Sequence, residues 1–248
     1  MKIRNAARTA TASMLMLIST QALSLELGAG FEGSATISAA SNYAWRGISQ
    51  TSNRPAIQGG LDLTHASGFY VGTWFSNVDF PLAPQAHTEQ DVYAGYGFQV
   101  GKLAFDLKFT QYLYDNASAL NFGESHAQAS YTAGKLGTFA AGLDYSNDTP
   151  INDSDSTIHY YGTYSQTLPQ ELALSATVGS YDFKDDGWVG GKDSKYAYYS
   201  IGVSKELYGV NVGLTYTDTN IGESSCEAFA GDKSYCNSIL VSAAKTFK

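Results

Sequence analysis

Residues Glu89–Tyr114 carry a pattern that recurs along most of the chain. Apolar and polar side chains alternate through Glu89–Val100 and again through Leu103–Tyr114, and Gly101-Lys102 separates the two runs. A period of two over about ten residues is typical of a β-strand with one apolar and one polar face. Two such strands joined by a tight turn form a hairpin. A tilted strand of this length crosses a bilayer, so the pattern indicates the wall of an outer-membrane barrel with its apolar face outward.

The same alternation predicts about twelve strands. They are Ser34–Arg46, Ala56–His65, Phe69–Asp79, the two strands of the hairpin above, Phe122–Ala133, Leu136–Ser146, Ser156–Leu168, Glu171–Phe183, Lys195–Lys205, Val210–Asp218 and Ser234–Phe247. Both faces of the third strand carry aromatic residues, so the pattern does not decide which face points outward. The aromatic residues that we assign to interfacial girdles on the outer face are Tyr43, Trp45, Tyr145, Tyr199 and Tyr216.

Tight turns alternate strictly with longer loops rich in Asp, Asn and Ser. The tight turns are Ser67-Gly68, Gly101-Lys102, Gly134-Lys135, Pro169-Gln170 and Tyr208-Gly209. Short turns face the periplasm in outer-membrane barrels, whereas a soluble sandwich shows no such alternation. We therefore predict an all-β fold: a single antiparallel up-and-down transmembrane β-barrel over residues 25–248, with longer extracellular loops.

The composition agrees with an exported all-β chain. The 248 residues include 25 Gly, 18 Tyr and 5 Pro, and no apolar run is long enough for a transmembrane helix. Residues 1–24 read as a signal peptide, with a basic start, a short apolar run and the small-residue site Ala22-Leu23-Ser24. Its removal takes away three positive charges and changes the net charge from −8 to −11. Such an acidic chain is a poor nucleic-acid binder.

The only two cysteines, Cys226 and Cys236, lie close together in the sequence near the C-terminus. In the oxidising periplasm, this spacing favours a disulfide that closes one loop. A metal site would need more ligands nearby, and no histidine lies beside them.

If the apolar faces meet lipid, the remaining charged residues of the strands line the lumen. These predicted lumen or constriction residues are Arg46, Asp62, Glu89, Asp91, Asp106, Lys108, Glu124, His126, Asp144 and His159. Twelve strands fall between barrels filled by side chains and barrels with a wide channel. The carboxylates outnumber Arg46 and Lys108, so the lumen is predicted to be mildly acidic and to favour cations.

Arg46 is predicted near the extracellular end of the first strand, and Glu89 and Asp91 begin the fourth strand from that same end. We hypothesise that Arg46 pairs with Glu89 or Asp91 and constricts the passage. The alternative is that these charges only solvate or brace the barrel wall.

Catalytic and metal-binding interpretations have weak support. The four histidines are scattered, and we place only His65 on the lipid-facing side, with no obvious serine partner for a hydrolase triad. The acidic loops 152–155 and 182–193 lack EF-hand spacing and are typical of turns. We therefore predict no catalytic residue, no cofactor and no metal site, and we expect the chain not to be an enzyme.

Several segments resemble the TorF family, whose members are named as porins. The resemblance lies in Ser41–Thr51 (SNYAWRGISQT), Pro55–Gly60 (PAIQGG), Gly68–Trp74 (GFYVGTW), Ser76–Asp79 (SNVD) and Glu89–Tyr96 (EQDVYAGY). It is dense in the first third of the chain, while length and signal peptide match throughout. It implies an outer-membrane barrel of a Gram-negative bacterium and, by name alone, a pore. The resemblance does not imply a particular ligand.

Three functional classes follow, of which two are well supported. The first is a passive channel for small hydrophilic solutes embedded in outer-membrane lipid. The second is a structural or surface-binding barrel with an occluded lumen. A lipid-modifying enzyme is a remote third. The oligomeric state is not predicted.

Overall fold

A computed structural model describes residues 25–147, 149, 156–184, 189 and 194–248. The predicted signal peptide, residues 1–24, lies outside the described residues, as does most of the loop segments 148–155 and 185–193. No helix among the described residues is long and apolar enough to cross a membrane.

The described chain consists mostly of antiparallel strands. They are β1 (Leu25–Gly28), β2 (Phe31–Ala40), β3 (Ala44–Trp45), β4 (Ile48–Ser49), β5 (Ala56–His65), β6 (Phe69–Asn77), β7 (Thr88–Val100), β8 (Leu103–Tyr114), β9 (Phe122–Thr132), β10 (Thr138–Ser146), β11 (Thr157–Thr167), β12 (Ala173–Phe183), β13 (Lys195–Leu207), β14 (Val210–Thr219) and β15 (Asn237–Phe247). One helix, α1 (Glu223–Ala230), precedes β15.

Pairing of β2 with both β5 and β15 closes the barrel. Strand β2 runs antiparallel to β5 from Phe31↔His65 to Ala40↔Ala56. Its other edge pairs with β15 from Ala35 onward, and β1 pairs with the remaining first residues of that edge. Strand β1 thus extends the position of β15, and twelve strands make the wall. The predicted closed, twelve-stranded antiparallel barrel is confirmed.

The two faces of the wall separate as the alternation predicts. On β8, the side chains of Leu107 and Phe109 are exposed on the outside, whereas Asp106 and Thr110 are buried inside. The sequence did not decide which face of β6 points outward. In the structure, Phe69, Val71 and Phe75 are exposed on the outside. The inward face of β6 carries Trp74, which packs against Tyr43 at a centroid distance of 5.3 Å. The wall therefore has an apolar outside and a largely polar inside.

Four tyrosines cover glycines on neighbouring strands. In each pair the two residues stand directly opposite each other across the ladder. The pairs are Gly72 with Tyr93, Gly95 with Tyr70, Gly142 with Tyr161 and Gly179 with Tyr198. A Cβ on any of these glycines would overlap the tyrosine ring. The glycines thus let large rings lie flat against the inner wall, an arrangement known to pin strand register.

Residues 41–55 depart from the predicted fold. The first strand was predicted to run to Arg46 and to be followed by an extracellular loop, but β2 ends at Ala40 and the chain then turns inward. Strands β3 and β4 form a small hairpin whose turn, Arg46-Gly47, has positive φ values of 50° and 87°. We call residues 41–55 the lumen insert.

The lumen insert also corrects the assignment of Tyr43 and Trp45 to the outer girdle. Tyr43 is buried inside the barrel, and Trp45 packs against the interior clusters. The alternation gave the wrong face because an apolar side chain in contact with lipid and one packed inside a barrel produce the same pattern. Tyr145 and Tyr199 are exposed on the outer face as expected.

Candidate functional site

The centre of the site is the buried guanidinium of Arg46 at the tip of the lumen insert. Its Nη2 lies 2.7 Å from Glu124 Oε2 on β9 and 3.0 Å from Asp144 Oδ2 on β10. All three side chains are almost completely buried, with 5% or less of each exposed. Charged groups are rarely buried unless they are paired, and here one cation faces two carboxylates. The insert is therefore anchored to the inner wall by ion pairs shielded from water.

The Arg46 guanidinium lies over two aromatic rings. The Arg46 Cζ lies 4.1 Å from the centroid of Trp45 and 4.4 Å from that of Tyr181 on β12. A cation over an aromatic face is attracted by the quadrupole of the ring, and the attraction reaches about 2 kcal/mol when water is excluded. The neighbouring insert residue and the wall thus both stabilise the position of Arg46.

Asp144 is shared by two histidines in addition to Arg46. His126 and His159 each direct Nδ1 to this carboxylate; the His159 contact is 2.6 Å. The Tyr198 hydroxyl lies 3.0 Å from the other ring nitrogen of His159. His126, Asp144 and His159 are successive cross-strand partners on β9, β10 and β11. Regular pairing of inward positions therefore brings the three groups together.

The predicted partners of Arg46 are wrong. Instead of meeting Arg46, the Glu89 carboxylate accepts a hydrogen bond of 2.8 Å from the Tyr43 hydroxyl. Arg46 does not pair with Glu89 or Asp91, because it belongs to the insert, which crosses the lumen, and not to β2. Its ion pairs are made with Glu124 and Asp144, which belong to strands further round the barrel.

The other predicted lumen residues lie on inward positions of the wall. The Asp62 carboxylate accepts from the Tyr93 hydroxyl at 2.5 Å, and the Asp106 carboxylate accepts from the Tyr70 hydroxyl at 2.8 Å. The Lys108 Nζ stands 5.7 Å from the Tyr93 ring centroid. Tyrosine hydroxyls thus serve as hydrogen-bond donors to the inner carboxylates.

The lumen insert also contacts the wall at β13, β14 and β15, which lie next to β2 in the barrel. A Cβ at Gly47 would stand 2.6 Å from Thr219 Cγ2 and 3.0 Å from Tyr198 Cβ, so only glycine fits this approach to β13 and β14. The Asn42 side chain donates to Ser238 Oγ on β15 at 2.8 Å. Together with the Arg46 ion pairs, these contacts show that the insert crosses the interior from wall to wall.

Cys226 and Cys236 form a disulfide with their Cα atoms 6.0 Å apart. Cys226 belongs to helix α1, which the sequence analysis did not predict. A signal for this helix is present, because Glu223 occupies the first turn and Gly231 follows the last residue in a left-handed conformation. We missed it because the alternation method treats every segment between strands as loop.

His65 has a serine neighbour, contrary to the sequence analysis. The Ser67 Oγ lies 2.6 Å from His65 Nδ1, within the short turn that joins β5 to β6. The other ring nitrogen faces the carbonyl oxygen of Ala29 at 3.2 Å, where a hydrolase triad would place an acid or amide. The contact is a local turn interaction. The acidic segments 152–155 and 182–193 lie largely outside the described residues.

Comparison with solved structures places the fold. The chain is similar to a structure described as "KdgM porin in complex with disordered oligogalacturonate", with a TM-score of 0.55 and 7% identity over 87% of this chain and 98% of that one. A second structure, "KdgM porin", has the same TM-score and coverage with 8% identity. At these identities the likeness concerns the fold. The fold is therefore a closed antiparallel β-barrel of the kind found in these porins.

The chain belongs to the family described as "Bacterial protein of unknown function (Gcw_chp)", which it matches over residues 26–247. The resemblance to the TorF family is not confirmed by this match. A comparison with curated proteins gave no match.

Proposed function

We propose that the chain is a bacterial outer-membrane channel for the passive diffusion of small hydrophilic solutes, exported by the signal peptide at residues 1–24. The observation that carries the proposal is the closed wall, which is apolar outside and lined inside by charged and hydroxyl-bearing side chains. An apolar band around a polar interior is the arrangement of outer-membrane barrels. The fold likeness to KdgM and the resemblance to the TorF family support the same proposal.

The lumen insert forms the constriction of this channel. At the level of Arg46 the inward side chains of Glu124, Asp144 and Tyr181 are buried. Towards the short-turn end of the barrel, Asp62 and Gln128 keep part of their surface exposed. The interior is therefore most tightly filled where the insert crosses it, and conductance depends on how the insert is seated.

The charges of the interior favour cationic and neutral solutes over anions. The inward carboxylates belong to Asp62, Glu89, Asp91, Asp106, Glu124 and Asp144, against which stand the cations Arg46 and Lys108. Rings of acidic side chains favour cations in channels. The KdgM structure was obtained with oligogalacturonate, a polyanionic saccharide. The acidic interior of this chain supports a different solute class.

Planar-bilayer recording of the purified protein tests the proposal, with Arg46→Ala as the informative variant. We expect discrete conductance steps for the wild type, larger or more frequent steps for Arg46→Ala, and a reversal potential under a KCl gradient that indicates cation preference. Heat-modifiable gel migration and circular dichroism verify that both proteins are folded. Silence of both folded proteins would refute the channel.

A structural or surface-binding barrel is the second candidate, and the burial of the Arg46 layer favours it. This candidate predicts that neither the wild type nor Arg46→Ala conducts, although both are folded. The lipid-modifying alternative predicts hydrolysis of phospholipid, which thin-layer chromatography after incubation with vesicles detects directly.

A further inference from the structure

The segment that the disulfide closes, Cys226–Cys236, lies over the lumen insert. We call it the latch segment. It lies within the connection between β14 and β15 and contains most of helix α1. Both cysteines are buried instead of lying at the tip of a loop. The disulfide is therefore packed against other residues, and the contacts described next show which segment those residues belong to.

Hydrogen bonds join the latch segment to the insert at the end next to Cys236. The backbone N–H of Ser49 donates to the carbonyl oxygen of Tyr235 at 2.8 Å. The Asn53 Nδ2 donates to the carbonyl oxygen of Ser234 at 3.0 Å. Both donors belong to the insert, and both acceptors are backbone groups within two residues of Cys236. The position of Cys236 thus fixes the acceptors that hold the insert.

The disulfide also shares a buried apolar cluster with the insert. Ile48, the residue that follows the Arg46-Gly47 turn, belongs to the same buried apolar cluster as Cys226, Cys236 and the wall residue Tyr196. Apolar contacts of this kind are lost when either surface moves away. Displacement of the latch segment would therefore remove both the hydrogen bonds and the apolar cover of the insert.

A second anchor ties the latch segment to the rest of the extracellular surface. Gly231, which ends helix α1 at φ 95°, approaches Pro81 so closely that a Cβ would lie 2.8 Å from the Pro81 Cβ. Pro81 belongs to the loop between β6 and β7. The latch segment is thus held at Pro81 and at the base of β15, and the disulfide fixes the distance between its two ends.

We propose that the latch segment is a positioning element that keeps the lumen insert seated and thereby sets the conductance of the barrel. The inference rests on the proposed channel function. A cross-link that served only its own loop would not require Ile48, Ser49 and Asn53 of another loop to contact that segment. The disulfide acts through the insert and has no contact with a solute in this scheme.

Single-channel recording of three variants tests the proposal. The double variant Cys226→Ser/Cys236→Ser removes the cross-link while leaving the Asn53 side chain in place. Asn53→Gly preserves the disulfide and removes the side-chain hydrogen bonds to Ser234, together with those from Asn42 and Ser238. Glycine suits the positive φ of 56° at this position. We expect the open probability to rise about tenfold in the double variant, within the range of about 5- to 150-fold typical of coupled sites, and to a smaller extent in Asn53→Gly. Glu223→Ala is the matched control, because it alters an exposed ion pair to Lys233 in the same region; we expect wild-type conductance.

The outcomes distinguish a failure of the latch proposal from a failure of the channel proposal. If Arg46→Ala increases conductance while the double variant and Asn53→Gly behave as the wild type, the latch is refuted and the channel stands. If no variant conducts although all are folded, the channel is refuted and the latch with it. If the double variant fails to fold, Asn53→Gly decides, and unchanged conductance of that variant refutes the latch. A loss of stability without a change in conductance also contradicts it.

Discussion

Arg46 Nη2 lies 3.0 Å from Asp144 Oδ2, although 98 residues separate the two in the chain. Asp144 in turn accepts from His126 and His159. One carboxylate of the wall therefore joins the tip of the lumen insert to three neighbouring strands. The insert is held by charges in the barrel interior, and we expect this anchoring to contribute to the stability of the fold.

Removal of Arg46 is expected to destabilise the protein strongly. Arg46→Ala leaves Glu124 and Asp144 buried without their cation, and breaking a buried ion pair in this way costs about 3 to 5 kcal/mol. The measurement is urea unfolding in detergent micelles or lipid vesicles, followed by tryptophan fluorescence. The midpoint is expected to shift to a clearly lower urea concentration.

Arg54→Ala is the matched control for this prediction. Arg54 pairs with Asp79 at 2.8 Å, but its side chain is 74% exposed. Exposed ion pairs contribute about 0 to 1 kcal/mol. Equal destabilisation by the two substitutions would contradict the buried anchor.

The sequence was sufficient for the barrel wall because alternation reports directly on which side chains face lipid. Ala56–His65, for example, was predicted with the bounds that the structure has. The same signal failed at Tyr43 and Trp45. There the chain leaves the wall, and an apolar side chain buried inside a barrel is indistinguishable by pattern from one facing lipid.

The contacts of the site were less predictable than its composition. Glu124, His126 and Asp144 were assigned to the lumen from their strand faces, but the partner of Arg46 was wrong. A partner depends on how far an inward segment reaches and on the register of each strand pair, and neither is encoded in a period of two. The turn at Arg46-Gly47 is the missing local signal, because glycine is suited to the positive φ that it requires there.

A methyl group at Gly142 is expected to destabilise the barrel. A Cβ at this position of β10 would lie 2.6 Å from Tyr161 Cε1 on β11, so the ring must move off the inner wall. Overpacking of this kind costs about 1 to 3 kcal/mol. Unfolding of Gly142→Ala in urea measures the effect.

Gly162→Ala in the same hairpin provides the comparison. The nearest atom to a Cβ at Gly162 is the carbonyl oxygen of Ala140 at 3.9 Å, so the added methyl group has room. We expect little change in its unfolding midpoint. If both alanine variants unfold alike, the tyrosine rings do not depend on the opposing glycines.

A charge on the outer face is expected to impair folding into lipid. Leu107 on β8 is 48% exposed on the outward face. Arginine on the lipid face costs about 2 to 4 kcal/mol near the bilayer midplane and little near the interfaces. We expect Leu107→Arg to reduce the free energy of unfolding in vesicles, measured by urea titration. Tyr208→Arg, at the fully exposed turn between β13 and β14, is expected to fold as the wild type does; an equal loss in both variants would contradict the assigned lipid face.

Asp115, which directly follows β8, is expected to contribute stability that depends on pH. Its Oδ1 accepts backbone hydrogen bonds from Thr88 at 2.6 Å and His87 at 2.7 Å, and these bonds lower the pKa of Asp115 below its ordinary value. A carboxyl group with a lowered pKa in the folded state stabilises the protein above its unfolded pKa, and the contribution is lost as pH falls through the folded pKa. Asp115→Asn preserves the accepting oxygen and removes only the charge. We expect this variant to unfold at lower urea concentration than the wild type at about pH 7, and the difference to shrink as the pH falls through the lowered pKa of Asp115, where the wild-type carboxyl becomes protonated in the folded state as well. A difference that stays constant as the pH is lowered in this way would show that the charge of Asp115 does not act through these hydrogen bonds.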